Sequence, residues 1–143
     1  MDFEPSDRFM RRLILRSHFK RTSDGRLALS SGVFKVTSKV MQGVRIASVD
    51  HLNAGHDPRF VYDRDCRRAE FEVDENCGVA SLAHDEIIAS AASVERSPLP
   101  GNPQHCDVRF PDGDKKVLER LADACEVDVW PAAVSPVEQV LVH

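Results

Sequence analysis

The fold class rests first on residues 104–110, which read Gln104-His105-Cys106-Asp107-Val108-Arg109-Phe110. Polar and apolar side chains alternate along this stretch, and successive side chains of a β-strand point to opposite faces of the sheet. The pattern therefore predicts a strand with one buried face and one polar face. The side chains on the polar face would be His105, Asp107 and Arg109.

The segments around this strand predict an α+β fold. Short apolar runs alternate with two amphipathic stretches in the order strand, helix, strand, strand, helix, strand. This order is typical of the ferredoxin-like βαββαβ arrangement, in which two helices cover one face of an antiparallel sheet. We expect that layer over residues 78–130, with its elements at residues 78–82, 84–92, 94–96, 104–110, 114–125 and 127–130.

An amphipathic helix is expected at the N-terminus, over residues 7–18. Ser6 is a suitable N-cap, and Asp7 suits the first turn of a helix. Apolar side chains then recur at helical spacing, which predicts one face against the core. The neighbouring face would carry a basic stripe at successive i+4 positions, formed by Arg8, Arg12, Arg16 and Lys20.

The chain of 143 residues has the length of a single domain. Within it we expect a basic helical or mixed part over residues 1–50, the βαββαβ part within residues 68–130, and a loose tail over 131–143. Further strands are expected at residues 33–36, 44–49 and 69–73. Residues 1–50 carry ten Lys/Arg against five Asp/Glu. This uneven distribution of charge indicates either a basic binding face or two oppositely charged halves of the fold that attract each other.

The four cysteines are expected to be reduced and free of metal. Their spacing contains no C-x-x-C pair, which argues against a zinc site. The acidic start of the chain, without an apolar run behind it, argues against a secretory signal. We therefore expect a soluble cytoplasmic protein with no cofactor and no contact with a membrane.

The segment Pro98-Leu99-Pro100-Gly101-Asn102-Pro103-Gln104-His105 is the most distinctive in the chain. It resembles a P-x-P-x-N-P-x-H segment of small uncharacterised bacterial proteins. The resemblance extends over about a third of the chain and implies no activity. Prolines fix the backbone of this loop, which would hold Asn102 and His105 in place as candidate binding and catalytic residues.

Two interpretations of His105 stay open. An imidazole beside Asp107, with Arg109 as a cationic anchor, is a workable acid–base arrangement. Alternatively, His105 is a surface or structural residue. Cys106 would face the other side of the strand, so it cannot easily pair with His105. Other histidines also stand beside carboxylates, but none has the spacing of a helical metal site; they occur in Asp50-His51, His56-Asp57 and His84-Asp85.

No complete catalytic motif is present, and this favours a non-enzymatic interaction module. We expect a small bacterial accessory, adaptor, immunity or antitoxin-like protein that binds another protein, an acidic one if the basic stripe is the contact. A small hydrolase or transferase that uses His105 and Asp107 is the alternative. A nucleotide or nucleic-acid binder that uses the N-terminal helix is the third candidate, although aromatic residues make up only 6% of the chain.

Overall fold

The structure, a computed structural model, describes residues 3–35, 40–69 and 72–140. β-Strands are the predominant secondary structure of the described residues, and four short helices and two 3₁₀ turns join them. The strands are β1 (Arg8–Ile14), β2 (Phe19–Arg21), β3 (Leu27–Leu29), β4 (Val40–Met41), β5 (Val44–His51), β6 (Arg67–Ala69), β7 (Glu72–Val73), β8 (Cys77–Ala83), β9 (Ser93–Arg96), β10 (His105–Pro111) and β11 (Glu126–Val129). The helices are α1 (Leu15–His18), α2 (Pro58–Asp65), α3 (His84–Ala89) and α4 (Lys115–Ala124).

A single antiparallel sheet organises the molecule. Its strands lie in the order β11-β8-β1-β5-β10-β9, with β4 paired to β5 outside this path. Strands β2 and β3 form one separate hairpin, and β6 and β7 form another. The strand expected over residues 44–49 lies within β5, and the one expected over 104–110 corresponds to β10.

The ferredoxin-like layer predicted over residues 78–130 is wrong. In that arrangement the first and third strands, here β8 and β10, would be neighbours. Instead β8 pairs with β1, β1 with β5, and β5 with β10. The N-terminal strands therefore fill the centre of the sheet, which the sequence pattern had assigned to the C-terminal part alone.

The N-terminal amphipathic helix is also wrong, because residues 8–14 form β1 and only Leu15–His18 are helical. Strand β1 lies at the centre of the sheet and has apolar side chains on both faces. Phe9 and Leu13 are buried on one face, while Met10 is buried on the other. A strand that is covered on both sides loses its simple alternation, and the remaining pattern imitates helical spacing.

The larger core lies between one face of the sheet and α3, α4 and the 3₁₀ turn Ser31–Phe34. Asp114 is the N-cap of helix α4, and its carboxylate accepts hydrogen bonds from the backbone N–H groups of Lys116 and Val117 at 3.1 and 3.4 Å. Its apolar face then packs on the sheet. The largest fully buried side chains of this core include Phe9, Leu13, Phe34, Leu82, Ile87, Val108, Phe110 and Leu121.

A smaller core lies on the other face of the sheet, under α2. Asp57 is the N-cap of this helix, and its side chain accepts a hydrogen bond from the Phe60 N–H at 2.9 Å. It packs on β8, β1 and β11, so that within the described residues no helix covers the half of this face formed by β5 and β10. The members of this core are Met10, Val61, Tyr62, Cys66, Cys77 and Val79.

A disulfide joins Cys66, at the C-terminal end of α2, to Cys77 at the start of β8. Their Cα atoms are 5.4 Å apart, within the ordinary range for a disulfide. The prediction that all four cysteines are reduced is therefore wrong for this pair. The two cysteines are 11 positions apart in the sequence, and they meet because α2 packs against β8.

The C-terminal segment is not the loose tail that was expected over residues 131–143, as far as the described residues reach. Val134 is buried, the Arg21 guanidinium lies 2.8 Å from the Glu138 carboxylate, and Arg26 donates to the Gln139 carbonyl at 2.7 Å. These contacts fasten the segment to the β2–β3 hairpin.

Two further expectations concern strands. In the strand expected over 33–36, Val33 and Phe34 belong to a 3₁₀ turn, and residue 36 lies outside the described residues. Residues 70 and 71 of the strand expected over 69–73 also lie outside them. No helix in the described part of the chain has the length and apolar character needed to cross a membrane.

Candidate functional site

The candidate site centres on Asp50, a buried carboxylate near the end of β5. Asp50 lies between Met10 of β1 and His105 of β10, to which it is aligned in register. Its carboxylate lies 3.1 Å from His56 Nε2 and accepts from Arg64 Nη2 at 2.5 Å and Asn102 Nδ2 at 3.1 Å. Three groups from three different segments thus converge on one side chain.

Two tight turns and one helix hold these partners in place. Reciprocal backbone hydrogen bonds of 3.1 Å between Asn53 and His56 close the turn after β5. A second pair, of 3.0 and 2.9 Å, joins Leu99 and Asn102 in the proline-rich loop. Arg64 comes from the last turn of α2, which the smaller core fixes against the sheet.

The network keeps Asp50 ionised. Burial by itself raises the pKa of this carboxyl, but the hydrogen bonds from His56, Asn102 and Arg64 together outweigh burial and hold the pKa below its ordinary value. The pKa of Arg64 is raised, first by its hydrogen bond with Asp65 and also by Asp50. Asp50 and Arg64 therefore form a charged, hydrogen-bonded pair at neutral pH.

His105 is buried next to this network, with 6% of its surface exposed. Its Nδ1 atom lies 2.7 Å from the Ser97 carbonyl oxygen. A carbonyl can only accept, so Nδ1 carries the proton in this contact and the neutral ring keeps its lone pair on Nε2. The proline-rich loop that ends at His105 thus fixes both the position and the tautomer of the imidazole.

The predicted pairing of His105 with Asp107 is not formed. The two residues share a face of β10 with Arg109, as the alternation predicts, but the His105 ring bonds to Ser97. Within the described residues, Asp107 Oδ1 is buried and has no hydrogen-bond partner. Arg109 Nε lies 2.6 Å from the Glu95 carboxylate. The carboxylate in register with His105 is Asp50, on the neighbouring strand.

A pocket of about 410 Å³ opens beside the Asp50 network, on the polar half of the sheet face. This volume suits a small polar group or a protruding side chain. Strands β1, β5 and β10 form its floor, and α2 forms one wall. Its polar lining includes Arg12, His18, Ser48, Arg64, Asn102 and His105.

His18 at the edge of this pocket is neutral at neutral pH. Its Nδ1 atom accepts a hydrogen bond from the Ile14 N–H at 2.9 Å, so the neutral ring carries its proton on Nε2. Burial, reinforced by the charges of Arg11 and Arg12, lowers the pKa of His18 to about 4. His18 therefore brings a hydrogen-bond donor to the pocket.

The four basic residues expected on one helix face do not form a stripe. Arg8 donates to the side chain and carbonyl of Ser81 at 3.0 and 2.9 Å. Arg12 lies at the pocket, Arg16 lies in α1, and Lys20 lies in β2 beside the C-terminal half of α4. A strand and a bend disperse residues that a helix would have aligned.

Neither thiol outside the disulfide is activated. Burial raises the pKa of Cys106 to about 11 and that of Cys125 to about 12. Both are protonated at neutral pH and lack nucleophilic character. As predicted from the alternation, Cys106 lies on the core face of β10, away from the polar face of the same strand.

No group of three His, Cys, Asp or Glu side chains that could hold a metal ion occurs within residues 3–35, 40–69 and 72–140. Neither a known protein family, nor a curated protein, nor a solved structure matches the chain. The function must therefore be inferred from the site itself.

Sequence reasoning found part of this site. It singled out Asn102 and His105 through the proline-rich loop, and Arg12 through its basic spacing. It missed Asp50 and Arg64 as partners, although the pairs Asp50-His51 and His56-Asp57 are visible in the sequence. The bond that forms joins Asp50 with His56, six residues away, and only the turn between them brings the two together.

Proposed function

We propose that this protein is a small interaction module that binds another protein through the surface around Asp50. The observation that carries the proposal is a pair of exposed apolar side chains, Phe60 and Leu99, held on two sides of the Asp50 network. Phe60 is 47% exposed and Leu99 is 48% exposed.

Each of the two residues is linked to the network through one intermediate residue. The Phe60 ring packs against the His56 ring with a centroid distance of 4.6 Å, and His56 contacts Asp50. The backbone of Leu99 is paired with that of Asn102, which donates to Asp50. Two apolar contacts therefore flank one rigid polar centre.

This combination favours recognition of a protein. Binding energy at protein interfaces concentrates in a few apolar or aromatic anchors, which polar contacts surround. Anchors that are held in place before binding lose less conformational entropy when a partner docks. Phe60 lies in the first turn of α2, where its backbone N–H donates to the N-cap Asp57. Leu99 lies in a loop with three prolines in six residues.

The chemistry of the described residues also supports a binding function. Cys106 and Cys125 are protonated, and Asp50 is already satisfied by three donors. The classes of protein that we propose are those expected from the sequence: a bacterial accessory, adaptor, immunity or antitoxin-like protein.

The test is a quantitative pull-down with the full chain and matched surface variants. We expect Phe60→Ser and Leu99→Ser each to remove a captured partner that the unaltered chain retains. Ile88→Ser is the control, because Ile88 is 52% exposed but lies on α3, away from the site. Equal capture by all three variants would contradict the proposal, and all three must have unchanged thermal stability.

A small hydrolase or transferase is the second candidate, because His105 presents a fixed tautomer beside a pocket. In this candidate His105 Nε2 would accept a proton, with Asp50 rather than Asp107 as the nearby carboxylate. His105→Gln would then abolish turnover while partner binding persists. The third candidate, nucleic-acid binding through a basic helix, has lost its support because that helix does not form.

A cytoplasmic location remains part of the proposal, and the Cys66–Cys77 disulfide makes it testable. Disulfides persist mainly in oxidising compartments, and cytosolic reductants keep most thiols reduced. Because both side chains are buried, the cells are lysed directly into denaturant that contains an alkylating reagent. We expect this to modify Cys66 and Cys77, whereas protein purified in air should contain the disulfide. Protection of the pair under these denaturing conditions would contradict a cytoplasmic location.

A further inference from the structure

The pocket beside Asp50 contains one cation that the fold leaves uncompensated. Arg12 is exposed and lines the pocket, and no hydrogen bond or ion pair joins it to another described residue. The other basic residues of β1 differ in this respect. Arg8 is bound to Ser81, and Arg11 donates to the carbonyls of Val33 and Ser48 at 2.5 and 2.8 Å.

The charges of the pocket are unevenly paired. Arg12 and Arg64 lie on the pocket face together with two carboxylates, Asp50 and Asp65, whereas the Arg11 side chain extends towards the larger core on the other face. Both carboxylates are hydrogen-bonded to Arg64, at 2.5 and 2.8 Å. Arg11 is met by neutral carbonyls and by the face of Phe34, 5.4 Å from its guanidinium carbon.

Two neutral hydrogen-bond donors line the pocket together with Arg12. The neutral ring of His18 carries its proton on Nε2, because Nδ1 accepts from the Ile14 N–H. Ser48 lies on the same face of β5 as Asp50 and brings a hydroxyl to the lining. A guanidinium with neutral N–H and O–H donors beside it is the arrangement that recognises a carboxylate or a phosphate.

We propose that this pocket binds the side-chain carboxylate of an acidic residue on the partner protein, with Arg12 as the main contact. The inference rests on the proposed function and names the chemistry of its partner. The apolar anchors Phe60 and Leu99 would lie beside the acidic residue, so that one polar contact sets the register of an apolar interface.

A carboxylate fits this pocket better than a nucleotide. Among the described residues its lining contains no Phe, Tyr or Trp; its aromatic rings are the smaller imidazoles of His18 and His105, and each is hydrogen-bonded to a backbone group. The volume of about 410 Å³ accommodates a protruding side chain. With one uncompensated cation, the pocket matches the single charge of a carboxylate more closely than the higher charge of a phosphate.

The experiment is an NMR titration of the ¹⁵N-labelled full chain with two neutral-ended peptides. The probes are acetyl-Gly-Glu-Gly-amide and acetyl-Gly-Gln-Gly-amide, which differ only in the charged group. We expect the Glu peptide to bind about fivefold more tightly or better, with shifts at the amides around Arg12, Ser48 and His105. Arg12→Gln should remove the difference between the peptides, whereas Arg12→Lys should retain part of it.

Arg16→Gln is the matched control, because Arg16 is exposed in α1 but does not line the pocket. It should bind both peptides as the unaltered chain does. Three results would overturn the carboxylate site: equal binding of the two peptides, an equal effect of Arg16→Gln, or tighter binding of inorganic phosphate than of the Glu peptide. Tight binding of a Gln peptide with a free C-terminus would also do so, because the pocket would then recognise a terminal carboxylate.

The two proposals can fail separately. Suppose Phe60→Ser and Leu99→Ser remove a partner while Arg12→Gln changes neither partner nor peptide binding. The interaction module then stands and the carboxylate site is wrong. If Arg12 is needed for the Glu peptide but the Phe60 and Leu99 variants capture everything the unaltered chain does, the pocket stands and the proposed function is wrong.

Discussion

The two faces of the central sheet are stabilised by different interactions. One face is closed by α3, α4 and a 3₁₀ turn, and its side chains are almost all apolar. The other is covered by α2 over only one half, and its open half is built around the ionised Asp50. The closed face depends on burial of apolar surface, whereas the open face depends on a few directed hydrogen bonds. Stability should therefore concentrate on the first face and recognition on the second.

The largest effect should come from the closed face. Leu13 is fully buried there, and Leu13→Ala would leave a cavity in a packed core. We expect a loss of roughly 2–5 kcal/mol in the free energy of unfolding. Urea denaturation measures this loss. The control is Ile14→Ala on the same strand, since Ile14 is half-buried and lines the pocket on the open face. If Ile14→Ala costs as much as Leu13→Ala, the contrast between the faces is wrong.

An intermediate effect is expected at the centre of the open face. Asp50 accepts from three donors, and Asn at this position would present an N–H to one of them. Asp50→Asn should therefore cost about 1.5–3 kcal/mol, because charge-assisted hydrogen bonds are lost and a donor is left without an acceptor. Urea denaturation at neutral pH measures this cost.

Asp65→Asn is the control for Asp50→Asn, because it also removes a carboxylate bound to Arg64. The side chain of Asp65 is 29% exposed, whereas that of Asp50 is 6% exposed. We expect Asp65→Asn to cost under about 1 kcal/mol, as for other solvent-screened pairs. Similar costs for the two variants would show that the Asp50 network does not stabilise the open face.

The same contrast explains what the sequence could predict. Strand β10 has apolar side chains on one face and polar side chains on the other, so its alternation is visible. Strand β1 buries Met10 on one face and Phe9 and Leu13 on the other, so its alternation is lost. Local spacing cannot report that a strand lies in the middle of a sheet, because its neighbours come from distant parts of the chain.

The candidate site shows the same limit. The proline-rich loop marks Asn102 and His105, because it is unusual within a few residues. The contacts that make a site of them are long-range: Asn102 and Asp50 are 52 positions apart, and Arg64 and Asp50 are 14 apart. No motif with a fixed spacing describes such a set, so Asp50 becomes visible as its centre only once the sheet is assembled.

The smallest effect concerns His18 and the pH dependence of stability. In the folded chain the pKa of His18 is lowered to about 4, against 6.5 for a free imidazole, because of burial and the nearby charges of Arg11 and Arg12. Between these values the unfolded chain binds a proton that the folded chain does not, so stability falls as the pH decreases from 6.5 to 4. The effect should be modest, because the ring is partly exposed and solvent screens its charge.

His18→Asn isolates this contribution. An Asn side-chain oxygen can still accept from the Ile14 N–H but takes up no proton in this range. The variant should therefore lose less stability than the unaltered chain between pH 6.5 and pH 4 when both are measured by urea denaturation. Burial also lowers the pKa of His51, which contributes in the same direction and is common to both proteins. Identical pH profiles would mean that His18 is protonated as readily in the folded chain as in the unfolded one, and the hydrogen bond that Nδ1 accepts from the Ile14 N–H would then be wrong.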